Sequence, residues 1–168
     1  MDREARIAML VDHARRPRHA GTLADADVRV PGGNPGCGDL ITVHLKTEPG
    51  GDRLAAVTFE GTGCTVSQAA ASILLDRLNR EHPTLGEVLA LSYDEMIDAL
   101  GADVVGSRLS CATLALGTTK AAVRRLETDR RLRAAGKSDD EIRRLREALA
   151  QYAHPASGVP RAAGAEEP

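Results

Sequence analysis

Aromatic residues are almost absent from this 168-residue chain, which contains no Trp, one Phe and two Tyr. Proteins that bind single-stranded nucleic acid stack its bases on aromatic side chains, and this sequence offers almost none. The formal net charge of -2 also lacks the basic excess that is typical of nucleic-acid binding. We therefore expect no nucleic-acid partner, and a core built from Leu, Val, Ile and Ala.

Long apolar runs are missing as well. The longest stretch of small and apolar residues, AAASILL at 69–75, is far shorter than the roughly 20 residues that span a bilayer. The N-terminal stretch MDREARIAML carries charges where a signal peptide has its apolar segment. The expectation is a cytoplasmic protein with no membrane partner.

Cysteine is scarce, with three residues in the chain. An odd number of cysteines in a reducing compartment favours metal or thiol chemistry over a disulfide framework. The sequence has no Cys-x-x-Cys pair, so the local motif of many zinc sites is absent. Isolated cysteines often serve as small core residues, and composition alone leaves that alternative open.

Apolar spacing predicts a helix over residues 2–16 and a β-hairpin over 40–46 and 53–60, whose strands flank the turn EPGGD. After the hairpin, the same reasoning predicts four helices in order: one from residue 65 with Cys64 at its start, two short ones over 84–90 and 93–100, and one that opens at Cys111. All three cysteines thus lie at junctions between a loop and an element.

The composition changes beyond residue 127. The stretch DDEIRRLREALAQY after Ser138 predicts an amphipathic helix with acidic residues in its first turn, and the simplest interpretation is a solvated helix packed on the domain. Residues 154–168 are rich in Pro, Gly and Ala and are expected to be disordered. We therefore expect a metal-binding domain over 1–127, a helical extension over 128–153 and a disordered tail over 154–168.

Glycine and proline are concentrated around the cysteines, in PGGNPGCGDL at 31–40 and in GTGC at 61–64, just before the helix predicted from residue 65. Burying a thiol in a core does not need such backbone freedom, so the pattern favours a site. If the segment Cys37-Gly38-Asp39 is extended, the side chains of Cys37 and Asp39 point to one face. Together with Cys64 and Cys111, whose thiolates the helix starts stabilise, they supply the four ligands of a tetrahedral zinc site.

Three motifs resemble the cysteine motifs of the SufU/IscU family of iron-sulfur cluster assembly proteins, namely NPGCGD, GTGCTVSQAAASIL and RLSCATLAL. The stretch DHARRPRHAG at 12–21 also resembles that family, so the resemblance covers residues 2–127. It implies an α+β fold in which helices cover a small three-stranded antiparallel sheet with a metal site at one end. The candidate third strand is VRV at 28–30, and the C-terminal helix is an addition to this fold.

Two features resemble the SufU-like branch of the family. IscU-like proteins have a His before their third cysteine and a Leu-Pro-Pro-Val-Lys segment ahead of it, where this chain has Ser110 and VVGSR. SufU-like proteins have an Arg three residues before that cysteine, and Arg108 occupies this position. One feature departs from the SufU-like branch. The segment between Cys64 and Cys111 is too short for the whole insertion that SufU proteins commonly carry.

The resemblance implies that Cys37, Asp39, Cys64 and Cys111 bind zinc. It implies a zinc-dependent sulfurtransferase that accepts persulfide sulfur from a SufS-like cysteine desulfurase, with a downstream cluster scaffold as a further candidate partner. Cys37 is the expected acceptor because its flanking glycines let it move, while Cys111 is the alternative acceptor. Arg108 is expected to stabilise a displaced thiolate or carboxylate, or else to form a surface salt bridge.

Two other functions stay open at this point. The same cysteines are able to serve as a scaffold on which a 2Fe-2S cluster is assembled and transferred. A purely structural zinc module is the third interpretation. None of the five histidines is predicted to be a ligand.

Overall fold

The computed structural model of the protein describes residues 2–150. Within them the chain forms, in order, α1 (Arg3–Arg15), β1 (Val28–Asn34), β2 (Asp39–Thr47), β3 (Leu54–Thr62), α2 (Thr65–Glu81), α3 (Leu85–Ala90), α4 (Tyr93–Leu100), α5 (Ala102–Val105), α6 (Leu109–Ala134) and α7 (Asp139–Ala150). No helix in this range combines the length and the apolar character that are needed to cross a membrane.

The three strands form one antiparallel sheet in the order β1-β2-β3, which confirms the predicted α+β fold. The predicted third strand is present as β1 and extends four residues beyond VRV, to Asn34. Register pairs Asn34 with Asp39 and Leu40 with Thr62. The β1–β2 turn and the end of β3 therefore lie at the same end of the sheet.

One face of the sheet carries the core. Ile41, Val43 and Leu45 alternate along β2 and are buried, as the period of two in a strand requires. Helix α6 packs on β1 and β2, and helix α2 packs on β3. Each fully buried Val or Leu side chain contributes about 1.5 to 3 kcal/mol, so this layer fixes both long helices on the sheet.

The two long helices begin at the end of the sheet that carries the β1–β2 turn. Cys64 is the N-cap of α2 in extended conformation, and its side chain makes no capping hydrogen bond. Helix α6 begins at Leu109, which places Cys111 in its first turn. The predicted positions of these two cysteines at helix starts are therefore confirmed.

Helix α6 continues through residue 127, so the predicted boundary between residues 127 and 128 lies inside it, and the division into domains stays a prediction. The predicted C-terminal helix is present as α7, and the buried Ile142 packs it against the rest of the chain. Asp129 on α6 is buried and accepts a hydrogen bond from Arg146 Nε at 3.1 Å. The predicted tail, 154–168, lies outside the described residues.

Arg146→Met is expected to loosen α7 from α6. The substitution leaves the buried Asp129 carboxylate without its cation, which costs about 2 kcal/mol for a pair that is partly accessible to solvent. Amide hydrogen exchange should become faster in residues 139–150 and stay unchanged in the sheet. In the matched control Arg143→Met the partner, Asp140, is exposed, and no measurable change is expected. Unchanged exchange in α7 of the Arg146 variant would contradict this account.

Candidate metal centre

Three segments of the chain meet at one end of the sheet. The β1–β2 turn carries Cys37, and Asp39 begins β2. The connection from β3 into α2 carries Cys64, and the first turn of α6 carries Cys111. The structure therefore brings together residues that are far apart in sequence and that were all predicted to be ligands.

The β1–β2 connection is a turn held by the backbone of Asn34. Its carbonyl oxygen accepts hydrogen bonds from the N–H groups of Cys37 at 3.1 Å and Gly38 at 2.8 Å. Gly38 has φ of 71°, a left-handed conformation that glycine adopts without strain. The expectation that Cys37-Gly38-Asp39 is extended is therefore wrong, because the chain reverses here to pair β1 with β2.

The side chains of Cys37, Asp39 and Cys111 nevertheless converge, and their ligand atoms all lie within 4.8 Å of one another. The two sulfur atoms, Cys37 Sγ and Cys111 Sγ, are 3.0 Å apart. Cys37 is exposed, whereas Asp39 and Cys111 have exposed fractions of 3% and 2%. The group thus joins one accessible sulfur to two buried ligand atoms.

Cys64 adjoins this group of three without being part of it. Its backbone N–H donates a hydrogen bond of 2.9 Å to Asp39 Oδ1. The side chain is half-buried and close enough to influence the ionisation of the Cys111 thiol. Its role as the fourth ligand therefore remains a prediction.

The Asp39 carboxylate is the clearest sign that the site accommodates a cation. Oδ1 accepts the hydrogen bond from Cys64, but Oδ2 is buried and has no hydrogen-bond partner among the described residues. A buried carboxylate oxygen without a partner is costly, and a coordinated cation would satisfy it. Thiolates and a carboxylate are also ligands that zinc accepts, so the residues present fit a metal ion.

Burial and hydrogen bonds oppose each other in setting the pKa values of the site. Burial raises the pKa of Asp39, but the hydrogen bond from the Cys64 N–H and the nearby side chains of Cys111 and Ser67 lower it by more. Burial likewise raises the pKa of the Cys64 thiol, but the nearby backbone N–H groups of Ser67 and Val66 at the start of α2 bring it below its ordinary value. Asp39 and Cys64 are therefore held toward their anionic forms.

Cys111 behaves in the opposite way. Burial raises the pKa of its thiol, and the neighbouring Cys37, Asp39 and Cys64 raise it further. Anionic neighbours disfavour another anion in the same buried volume. A cation at this position would reverse that balance, since coordination stabilises the thiolate.

Because residue 63 is a glycine, its backbone can lie close to the Asp39 carboxylate. A Cβ atom at this position would lie 3.0 Å from Asp39 Oδ1 and 2.3 Å from Ser67 Oγ. The Ser67 hydroxyl donates a hydrogen bond of 3.0 Å to the Cys64 carbonyl, so it cannot turn away without losing that bond. A side chain at residue 63 would therefore displace the groups that hold Asp39.

Sequence reasoning missed the side-chain contacts of Asn34. Its Nδ2 donates to Cys37 Sγ at 2.8 Å and to Ser110 Oγ at 2.9 Å. The available signal was the position of Asn34 at the start of NPGCGD, because Asn side chains often brace turns. That signal indicates a brace within the turn and does not reveal a contact with α6.

Arg108 lies beside the site rather than in it. It is the exposed N-cap residue of α6, and its carbonyl oxygen accepts a hydrogen bond from the Cys111 N–H at 3.1 Å. Within residues 2–150 its side chain forms neither a hydrogen bond nor a salt bridge. Its predicted role in stabilising a displaced ligand stays a prediction.

The family model described as NifU-like N terminal domain matches residues 7–132. The chain belongs to this family. It is 30% identical over 134 residues to the iron-sulfur cluster assembly scaffold protein IscU of Streptococcus pyogenes serotype M1, covering 71% of this chain and 82% of that protein. It is 34% identical over 131 residues to the protein of the same name from Thermotoga maritima, covering 70% and 91%.

A further relative is the zinc-dependent sulfurtransferase SufU of Bacillus subtilis, with 33% identity over 123 residues, covering 63% of this chain and 80% of that protein. Among solved structures, a hypothetical protein with 30% identity matches with a TM-score of 0.61 and covers 72% of this chain and 98% of its own length. The predicted resemblance to the SufU/IscU family is confirmed, since the NifU-like model matches and proteins named IscU and SufU are relatives. Relatives of both names match, so these similarities do not separate the SufU-like from the IscU-like branch.

Gly63→Ala is expected to weaken metal binding without unfolding the domain. The added methyl group displaces Ser67 and presses on Asp39, so we expect the affinity for Co²⁺, used as a spectroscopic probe, to fall about tenfold, as is typical when the partners that orient a metal ligand are disturbed. Absorbance titration of metal-free protein measures the change.

The matched control is Gly86→Ala in α3, where the nearest atom to the new Cβ is Thr84 Oγ1 at 4.0 Å. This variant should bind Co²⁺ like the wild type and be slightly more stable, because Ala favours a helix over Gly. Equal Co²⁺ affinities for the two variants would show that the close approach of Gly63 does not matter to the site.

Proposed function

We propose that this protein is a zinc-dependent sulfurtransferase that receives persulfide sulfur from a SufS-like cysteine desulfurase for iron-sulfur cluster assembly. The observation that carries the proposal is the exposed Cys37 sulfur, which contacts the buried Cys111 sulfur and lies within 4.8 Å of the Asp39 carboxylate. Membership of the NifU-like family and the similarity to a protein named zinc-dependent sulfurtransferase support it. The proposed compartment is the cytoplasm.

The proposed zinc ligands are Cys37, Asp39, Cys64 and Cys111. Zinc held by these residues would keep their thiols deprotonated and would link the β1–β2 turn to the starts of α2 and α6. Cys64 is included because its side chain makes no capping hydrogen bond and is half-buried beside the other three. The lowered pKa of its thiol also suits a ligand.

Accessibility supports Cys37 as the sulfur acceptor. Cys37 is exposed, Cys64 is half-buried and Cys111 is buried in the first turn of α6. A partner's persulfide must reach the attacking sulfur, and of the three cysteines Cys37 is the exposed one. Cys111, the alternative acceptor, would first have to leave the core.

The transfer itself involves no net oxidation. The Cys37 thiolate attacks the outer sulfur of the desulfurase persulfide, a new S–S bond forms at Cys37, and the S–S bond within the desulfurase breaks. The desulfurase cysteine leaves as a thiolate, so electrons and atoms balance. Arg108, exposed at the start of α6, is proposed to stabilise a thiolate or carboxylate that is displaced during this step.

A second candidate function is a scaffold on which a 2Fe-2S cluster is assembled and passed on. The similarity to two proteins named IscU scaffold favours it, and the same three cysteines would hold the cluster. The two functions differ in what the isolated protein contains. Metal analysis therefore discriminates between them.

The purified protein is expected to contain about one zinc ion per chain, because three thiolates and one carboxylate complete a tetrahedral site. Plasma mass spectrometry of protein that was purified without added metal measures this content. Iron and acid-labile sulfide in place of zinc would support the scaffold instead.

Cys37→Ala is expected to abolish sulfur uptake, because it removes the accessible thiol. The wild type, after incubation with desulfurase and cysteine, should gain an adduct of about 32 Da on Cys37, which is the mass expected for a persulfide sulfur. Mass spectrometry of the intact protein and its peptides measures the adduct. The variant should stay folded and gain none.

Cys111→Ala serves as the comparison. This variant should lose metal first, since it removes a buried ligand, and its Cys37 should remain accessible. An adduct that persists at Cys111 when Cys37 is Ala would identify Cys111 as the acceptor and overturn the assignment of Cys37.

A further inference from the structure

We propose that Asn34 is a positioning residue for the acceptor sulfur. Its side-chain amide holds the Cys37 sulfur against the Cys111 sulfur and ties the β1–β2 turn to the start of α6. Asn34 lies outside the proposed ligand set, and its role as a sulfur-positioning donor rests on the proposed function of Cys37 as acceptor. The contact geometry itself can be tested without any desulfurase.

The orientation of the Asn34 amide follows from its partners. Oδ1 accepts a hydrogen bond from the Gly36 N–H at 3.2 Å, and only the oxygen of an amide side chain accepts. Nδ2 therefore points toward the sulfur atoms. The backbone carbonyl oxygen and Oδ1 of Asn34 accept hydrogen bonds from backbone N–H groups of the turn. Its Nδ2 instead donates to the Cys37 side chain and to α6.

The amide nitrogen has two hydrogens and three acceptors within reach. Cys37 Sγ at 2.8 Å and Ser110 Oγ at 2.9 Å are closer than Cys111 Sγ at 3.6 Å. The two nearer acceptors take the two hydrogens, so one hydrogen bond holds Cys37 and the other anchors Asn34 to α6. The hydrogen bond to Cys37 Sγ holds this sulfur 3.0 Å from Cys111 Sγ.

Two thiols held this close favour one intramolecular reaction in the metal-free protein, the formation of a Cys37–Cys111 disulfide. With oxidised glutathione as oxidant, the exposed Cys37 first forms a mixed disulfide and releases one glutathione thiol. Cys111 then attacks the Cys37 sulfur and releases the second. Two protein thiols are oxidised, one glutathione disulfide is reduced to two thiols, and both protons end on glutathione.

The experiment compares the rate of this crosslink in metal-free wild type, Asn34→Asp and Asn34→Ser, quantified by peptide mass spectrometry without reduction. The Asp variant keeps an acceptor for the Gly36 N–H but lacks the amide donor, and the Ser variant is neutral and too short to reach Cys37. We expect both to form the disulfide about tenfold more slowly, as the loss of a hydrogen bond to sulfur predicts. Ser107→Ala, at an exposed residue near α6, should stay within about twofold of the wild type.

Ser110→Ala tests whether the two hydrogens of the Asn34 amide are divided between Cys37 and Ser110. Without the hydroxyl oxygen, both N–H groups of Asn34 can turn to sulfur, so the crosslink should form at least as fast as in the wild type. A Ser110 variant as slow as the Asn34 variants would show that the Ser110 hydroxyl, and not the contact of the amide with sulfur, sets the sulfur positions. That result would overturn the proposal.

Folding is checked by circular dichroism and by alkylation of Cys64, which a change confined to the turn should leave unaltered.

Should neither Asn34 variant fold, NMR of the wild type decides, because alkylating Cys37 must shift the Asn34 side-chain amide protons if they bond to its sulfur. Unshifted protons, or variants that crosslink at the wild-type rate, would refute the role of Asn34. Absence of a persulfide on the wild type would refute the proposed function alone, since the crosslink needs no desulfurase.

Discussion

The site depends on one buried carboxylate that is only half satisfied. Asp39 begins β2 and uses Oδ1 to accept the N–H of Cys64, so it ties the sheet to the start of α2. Its second oxygen is buried without a hydrogen-bond partner among the described residues. Desolvation of such a group is unfavourable unless a cation or donor meets it, and the sulfur atoms of Cys37 and Cys111 lie around the same volume. The arrangement of the three segments therefore fits a cation.

The cysteines of the site differ in their exposure to solvent, and this difference suits them to different chemical roles. Cys37 is accessible on a turn whose reversal at Gly38 needs a positive φ, whereas Cys111 is packed into the first turn of a long helix. Movement of the turn leaves the core intact, while movement of Cys111 disturbs α6. The proposed ligands thus include a sulfur that is suited to exchange with a partner and a sulfur that is suited to retain a metal. Asn34 connects the two parts, because its amide contacts Cys37 and the start of α6.

Most of the fold could be predicted, because most of its strands and helices follow from the spacing of apolar residues in the sequence. Alternation and helical spacing placed the two hairpin strands and the helix starts at Cys64 and Cys111, whereas β1 was predicted only from the family resemblance that the motifs carry. Three features could not be predicted from local pattern. The turn at Cys37 depends on the left-handed Gly38, the hydrogen bond from Cys64 to Asp39 joins residues from different elements, and the contact of Asn34 with Ser110 joins the first strand to the sixth helix. The first is a backbone conformation that apolar spacing does not encode, and the other two are contacts between residues that are far apart in the sequence.

The participation of Cys64 is the most direct test of the account, because its sulfur adjoins the close group of Cys37, Asp39 and Cys111 without being part of it. X-ray absorption at the zinc edge of the metal-loaded protein counts the ligand atoms. The account predicts three sulfur atoms at about 2.3 Å and one oxygen atom at about 2.0 to 2.2 Å from the zinc. Two sulfur atoms with two lighter ligands would show that one of the three cysteines does not bind the zinc and would contradict the four-residue site.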